Sequence, residues 1–110
     1  MERFGKRTTG PTIDEIKTEI RYITTELPDV ASVFGFGSFF RNRPFNDVDI
    51  LVVLLPNCQS LLSVYYDLKA AFEALETRHE ICVDFTVLTS REYHEQPLRD
   101  MDSLIPLFSR

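Results

Sequence analysis

The sequence predicts an α+β domain in which helices pack on a small mixed β-sheet. Three observations predict it. A capping motif at Thr12 opens a stretch whose apolar residues recur at helical spacing, and residues 48–55 are almost wholly apolar over the length of one strand. Between and beyond them the periodicity alternates in the order α-β-β-α-β, with no internal repeat and no low-complexity run, so one layer of helices on one sheet accommodates the whole pattern.

Each element has its own signal. Residues 1–11 are polar, carry Gly5, Gly10 and Pro11, and read as a flexible tail, leaving residues 12–110 as one domain. Thr12 and Glu15 form a Thr-x-x-Glu capping box, after which Ile13, Ile16, Ile20, Ile23 and Leu27 line one helical face until Pro28 stops the helix. Val30 to Phe36 reads as a strand that ends at Gly37-Ser38. Arg41-Asn42-Arg43-Pro44 is a polar turn, and Asn46-Asp47 opens a second strand, central because it is apolar on both faces. Pro56-Asn57 breaks that strand, and Ser60 caps a second helix with the stripe Leu61, Tyr65, Leu68, Phe72 and Leu75. Residues 81–88 are rich in β-branched and aromatic side chains and form a third strand, and Ser90 starts a short helical turn. From Leu98 to Phe108 the spacing of Leu98, Met101, Ile105 and Phe108 is helical, although Pro106 interrupts it; Leu104, Ile105, Leu107 and Phe108 either dock on the sheet or form a partner surface, a homodimer included.

Composition narrows the function classes. A net charge of −5 gives no positive footprint for sequence-independent nucleic-acid binding. No apolar stretch has the length of a membrane span, and the opening segment lacks the apolar core of a secretory signal. Two cysteines, Cys58 and Cys82, without CxxC spacing fit a reducing cytoplasm better than a disulfide scaffold or a zinc site. His79 and His94 share no ligand spacing with each other or with a cysteine, and His79 is expected to face the end of the second helix.

The chemistry concentrates in three aspartates. Asp47 and Asp49 project from one face of the second strand, and Asp84 lies early in the third. Both strands are expected to run into the interior, where an unpaired carboxylate costs several kcal/mol. Neither strand contains a Lys or Arg to offset this, so a divalent cation is the simplest counter-charge. If the two strands are neighbours the three carboxylates converge, a donor set suited to Mg²⁺ together with substrate phosphates. Asn46-Asp47 also reads as plain turn chemistry, and Asp84 as a group bonded to Arg41, Arg43 or a backbone amide. Gly37 allows close backbone approach to a ligand, Ser38 offers a hydroxyl donor, and Arg41 and Arg43 stand within reach of a triphosphate or simply solvate the loop. Phe34 and Phe36 read as core residues, whereas Phe39, Phe40 or Phe45 is a candidate to stack on a base.

The segment GSFFRNRPFNDVDILVVL followed by VDFTVL resembles the nucleotidyltransferase domain of the DNA polymerase β superfamily, and most of all its minimal nucleotidyltransferases. That resemblance implies a polymerase-β-like nucleotidyltransferase fold and a metal-dependent enzyme that moves a nucleoside monophosphate, AMP from ATP, onto a hydroxyl and releases pyrophosphate. It implies that Gly37 and Ser38 hold the β- and γ-phosphates. Asp47 and Asp49 would bind two Mg²⁺ ions, and Asp84 would complete the catalytic metal site and help deprotonate the acceptor. In similar minimal proteins the acceptor is often a protein, and many are antitoxins of a HEPN ribonuclease. A scaffold that neutralises a partner by contact alone is the alternative. Two departures from the family pattern stand out: a shorter gap before Asp47, and Arg41-Asn42-Arg43 where a glycine commonly sits.

Overall fold

The computed structural model describes residues 10–95 and 103–110. Helix α1 spans Ile13–Thr25, strand β1 Val30–Phe36, strand β2 Asp47–Leu54, helix α2 Leu61–His79, strand β3 Cys82–Thr89, helix α3 Ser90–Glu95 and strand β4 Ile105–Ser109. A 3-10 turn, Phe39–Arg41, follows β1. The proposed flexible tail lies almost wholly outside the described residues.

Helix α1 starts where the capping box predicts. The Glu15 amide donates to the Thr12 hydroxyl at 3.1 Å and the Thr12 amide to the Glu15 carboxylate at 2.9 Å, so two amides left over at the helix start are satisfied. Ile16 and Ile20 are fully buried beneath it. At the other end the last turn contains no basic residue. Arg110 supplies the charge from the far end of the chain, donating to the carbonyls of Thr24, Leu27 and Val30 at 2.9, 3.0 and 2.7 Å, with its guanidinium 5.3 Å from the Phe108 ring.

The sheet runs β3-β2-β1-β4, with β2 and β3 parallel and the other pairs antiparallel. A parallel pair cannot be joined by a tight hairpin, and α2 makes the crossover. Strand β2 is central, and its near-continuous apolar run has two destinations. Val48, Ile50, Val52 and Leu54 join the main core under α1 and α2, while Leu51 and Val53 form a smaller cluster with Leu88 on the opposite face. Among the described residues that cluster is covered by Tyr93 of α3 and by Leu104, with Phe34 and Phe36 packed against it as well. Two long helices close one face of the sheet; on the other, Leu51, Val53 and Leu88 are covered, while Asp47 and Asp84 are exposed at the end where β2 and β3 begin.

Two expectations about elements are corrected. The stretch read as a C-terminal helix is strand β4 over its described part; Leu98 and Met101 lie outside the described residues. Proline inside a helix forfeits a hydrogen bond and clashes with the preceding turn, at about 3 kcal/mol, whereas an edge strand tolerates it. Pairing with β1 also covers an edge that would otherwise be open. In α2 the buried stripe is Val64, Leu68, Phe72 and Leu75; Leu61 and Tyr65 stand 50% and 39% exposed, Tyr65 meeting Phe85 at the outer strand β3.

Candidate functional site

The hairpin of β1 and β2 brings the Gly-Ser turn to the aspartates. β1 ends at Phe36, which pairs with Asp49, so Gly37 and Ser38 follow directly beside the start of β2. Gly37 has φ +81°, a conformation that side-chain-bearing residues rarely adopt, and a Cβ at this position would lie 2.2 Å from Oδ2 of Asp49. Glycine here is what lets the Asp49 carboxylate rest against the backbone of the turn.

Asp84 reaches the same place by a different route. The parallel register of β2 and β3 sets Asp49 opposite Asp84 and Asp47 opposite Cys82. Paired residues project to one face, so Asp47, Asp49 and Asp84 share the face away from the two long helices, at the end of the sheet where β2 and β3 begin. Phe36 of β1 lies on the other side of Asp49 along that face. The three carboxylates are not interior groups: Asp47 and Asp84 are exposed and Asp49 is half-buried. The expectation of a costly buried charge thus fails for two of the three, because strand ends at an uncovered face remain in water.

Among the described residues no three His, Cys, Asp or Glu side chains gather closely enough to hold an ion between them. The in-register pair of Asp49 and Asp84 nevertheless has the chemistry a hard divalent cation selects, two carboxylates on one face of neighbouring strands, the first half-buried and the second exposed. Mg²⁺ keeps several waters and takes one or two carboxylates plus substrate phosphates, and such a donor set fits it; an all-protein cage of three does not form.

The loop after the turn folds inward on itself. The amides of Arg41 and Arg43 both donate to the Ser38 carbonyl, at 3.0 and 3.1 Å, and that of Asn42 to the Phe39 carbonyl at 3.2 Å. The amides of Ser38, Phe39 and Phe40 have no backbone acceptor there among the described residues. Arg41 and Arg43 are exposed, and Arg43 lines a cavity of about 370 Å³ shared with Thr12 and Ile13 at the start of α1. Phe39, Phe40 and Phe45 are buried, at 5, 4 and 6% exposure, and Phe39 meets the other two edge-on at 4.9 and 4.8 Å. None of these three is free to stack on a base, which corrects the sequence expectation. The 3-10 turn swings Phe40 back beneath Gly35, whose missing Cβ makes room for the ring.

Sequence reasoning passed over three features. Phe34 stacks on Tyr93 at 5.5 Å on the face away from the two long helices. Glu76 accepts from the Val83 amide at 2.7 Å and Glu92 from the Thr89 amide at 2.9 Å, each closing one end of β3. Glu19 of α1 binds both Arg78 and His79 of α2, so His79 meets a carboxylate as well as a helix end. Burial pushes the Glu19 carboxyl up, but the bonds from His79 and Arg78 outweigh it and hold the group below its ordinary value. Cys58 and Cys82 are free and half-buried, and no described helix is long and apolar enough to cross a membrane.

No family model matches the sequence, and no curated protein matches it. Among solved structures, a candidate nucleotidyltransferase from Sulfolobus solfataricus superposes with a TM-score of 0.59, covering 86% of this chain and 78% of its own at 20% identity. The likeness is one of fold: the chain has the α+β architecture of a nucleotidyltransferase, a mixed four-stranded sheet packed by helices.

Proposed function

We propose that the chain is a metal-dependent nucleotidyltransferase that moves a nucleoside monophosphate, AMP from ATP, onto a hydroxyl of a protein or other acceptor. The observation that carries this reading is the meeting of three separate segments at one open edge of a nucleotidyltransferase fold: the Gly37-Ser38 turn, Asp49, and Asp84 in register beside it. Asp49 and Asp84 would share one Mg²⁺ ion, and Asp47 would contribute to a second on the same face. Magnesium bound there supplies neutralising charge for the triphosphate and for the departing pyrophosphate.

The chain's own groups supply the rest. The backbone at Gly37 admits a phosphate without a clash, and the Ser38 hydroxyl donates to an oxygen of the γ-phosphate. Asp84 accepts the proton of the acceptor hydroxyl as its oxygen bonds to the α-phosphorus. The bond from that phosphorus to the bridging oxygen breaks, and the electron pair leaves with pyrophosphate. Arg41 and Arg43 are the nearest cations in sequence to the triphosphate. The biological setting we propose is a cytoplasmic antitoxin acting on a HEPN-type ribonuclease.

Incubation with α-labelled ATP, Mg²⁺ and a cell extract tests the reaction. Label on a macromolecule that disappears with Asp47→Asn supports it. No label with any of the four nucleoside triphosphates favours a second reading, a non-catalytic scaffold that acts by contact. One observation speaks for that second reading: no three ligating side chains are gathered among the described residues.

A further inference from the structure

We infer that the outer edge of β3 is a docking site for an extended, basic segment of another protein, which adds to the sheet as a short strand. This rests on features separate from the carboxylate site and holds whether or not the chain transfers nucleotides.

Among the described residues β3 pairs only with β2, so one side of its backbone has no strand neighbour. The Val83 amide identifies that side, because it donates to Glu76 rather than to β2. Main-chain groups alternate sides along a strand, so Phe85 and Val87 present their amides and carbonyls the same way. Thr89, next in that series, has its amide closed by Glu92. What is left is a window of two residues between two acidic stops, in a position where most proteins blunt an exposed edge.

Beside the window lies an apolar recess. Val87 lines it with Leu61, Leu62 and Tyr65, and its volume is about 360 Å³, room for a large apolar side chain. Leu62 and Tyr66 are 65% and 58% exposed, so the apolar surface continues onto the outer face of α2. A strand laid along β3 would direct alternate side chains to this recess, which is the arrangement by which peptides gain both affinity and selectivity at sheet edges.

Charge chooses the occupant. Residues 61–95 contain seven Asp and Glu against three Lys and Arg, a net charge of −4, nearly all of the chain's −5. Glu76 and Glu92 border the window itself, and Arg91, the nearest cation in sequence, faces Glu95 at 3.9 Å. A second copy pairing β3 with β3 about a two-fold axis would set one acidic surface on another, which disfavours it. A basic partner meets opposite charge and apolar recess together.

The test uses a synthetic peptide of alternating lysine and leucine, roughly ten residues long as in a long strand, titrated into isotope-labelled protein and followed by amide resonances. We expect saturable shifts centred on Phe85, Val87, Leu61 and Leu62. Binding should weaken about tenfold or more when alternate peptide nitrogens are methylated, since that removes the strand's donors. The same loss is expected for the protein variant Leu61→Ser with Leu62→Ser, whose exposed positions leave folding intact, and a glutamate-leucine peptide should not bind. Equal affinity of the methylated peptide, shifts centred instead on Asp47, Asp49 and Asp84, or no saturable binding up to ~1 mM would each overturn the inference. So would a dimer of the chain alone that the double serine variant dissociates.

Discussion

Alanine substitutions at the two glycines flanking Phe36 separate a folding effect from a binding effect. At Gly37 a Cβ would come within 2.2 Å of Asp49 Oδ2, where ordinary contact begins near 3.4 Å, so the carboxylate must retreat by roughly 1 Å. The left-handed backbone adds about 1–2 kcal/mol of strain. At Gly35 the added Cβ would instead meet three carbons of the Phe40 ring at 2.6–2.7 Å, with no such backbone strain, and overpacking of this kind costs about 1–3 kcal/mol. The two variants are therefore expected to lose similar stability in urea denaturation. They should part company with ligand: at about a hundred times its dissociation constant, Mg²⁺·ATP stabilises a binding-competent fold by about 2.7 kcal/mol. Gly35→Ala should keep that increment and Gly37→Ala should lose most of it, read as the change in melting temperature. If Gly37→Ala keeps the full increment, the Asp49 carboxylate against the turn is not part of the ligand site.

Further outcomes follow from single contacts. Ser38→Ala should weaken ATP binding several-fold more than AMP binding by calorimetry, since the hydroxyl is assigned to the γ-phosphate; equal loss for both counts against that role. The Glu19 carboxyl is held below its ordinary value of 4.5, so it contributes stability that is full above that pH and is lost as pH falls through the folded value. Glu19→Gln should accordingly flatten the acid limb of the stability profile below about pH 4.5, with less change at pH 7 than Arg78 and His79 would suggest from their number. Arg110→Ala should cost about 1–2 kcal/mol, as three carbonyls near the end of α1 lose a charged donor at the surface; a loss below about 0.3 kcal/mol in urea titration would show water replacing it fully.

Local signals were the readable ones. The capping box, the stripe of α1 and the double-sided apolar run of β2 all depend on near neighbours, and each element formed accordingly. Gly37 and Asp49 were also within reach of sequence reasoning, because one loop joins their two strands. The register of Asp49 with Asp84 was not, since it depends on the crossover through α2 and on where β3 settles against β2. Strand β4 was illegible for a related reason. Its partner β1 lies more than sixty residues earlier, and the spacing of Ile105 and Phe108 suits a helix as well as a bulged strand. The aromatic run Phe39, Phe40 and Phe45 misled because periodicity carries no record of a 3-10 turn that reverses the chain beneath Gly35. The burial of Asp47 and Asp84 was overestimated because an apolar strand reveals a core without revealing which end of it stays in water.

The two-sided sheet has a consequence that stability measurements reach independently of activity. The helices seal one face, and the carboxylates occupy the other, so little of the core depends on them. Asp49 and Asp84 stand in register on neighbouring strands, about 4.8 Å apart at the backbone, and like charges opposite one another are destabilising by roughly 0.2–1 kcal/mol. Asp84→Asn removes that repulsion and part of the chain's excess negative charge, and its side chain is exposed, so it should raise stability by about 0.5 kcal/mol at low salt. The gain should shrink as salt screens the pair. Mg²⁺ relieves the same repulsion, so adding it should stabilise the wild-type chain more than the variant, and the two effects should be less than additive in a thermal titration. A loss of more than about 1 kcal/mol in Asp84→Asn would mean instead that the carboxylate is held by the protein itself, and the case for a ligand at this edge would fall with it.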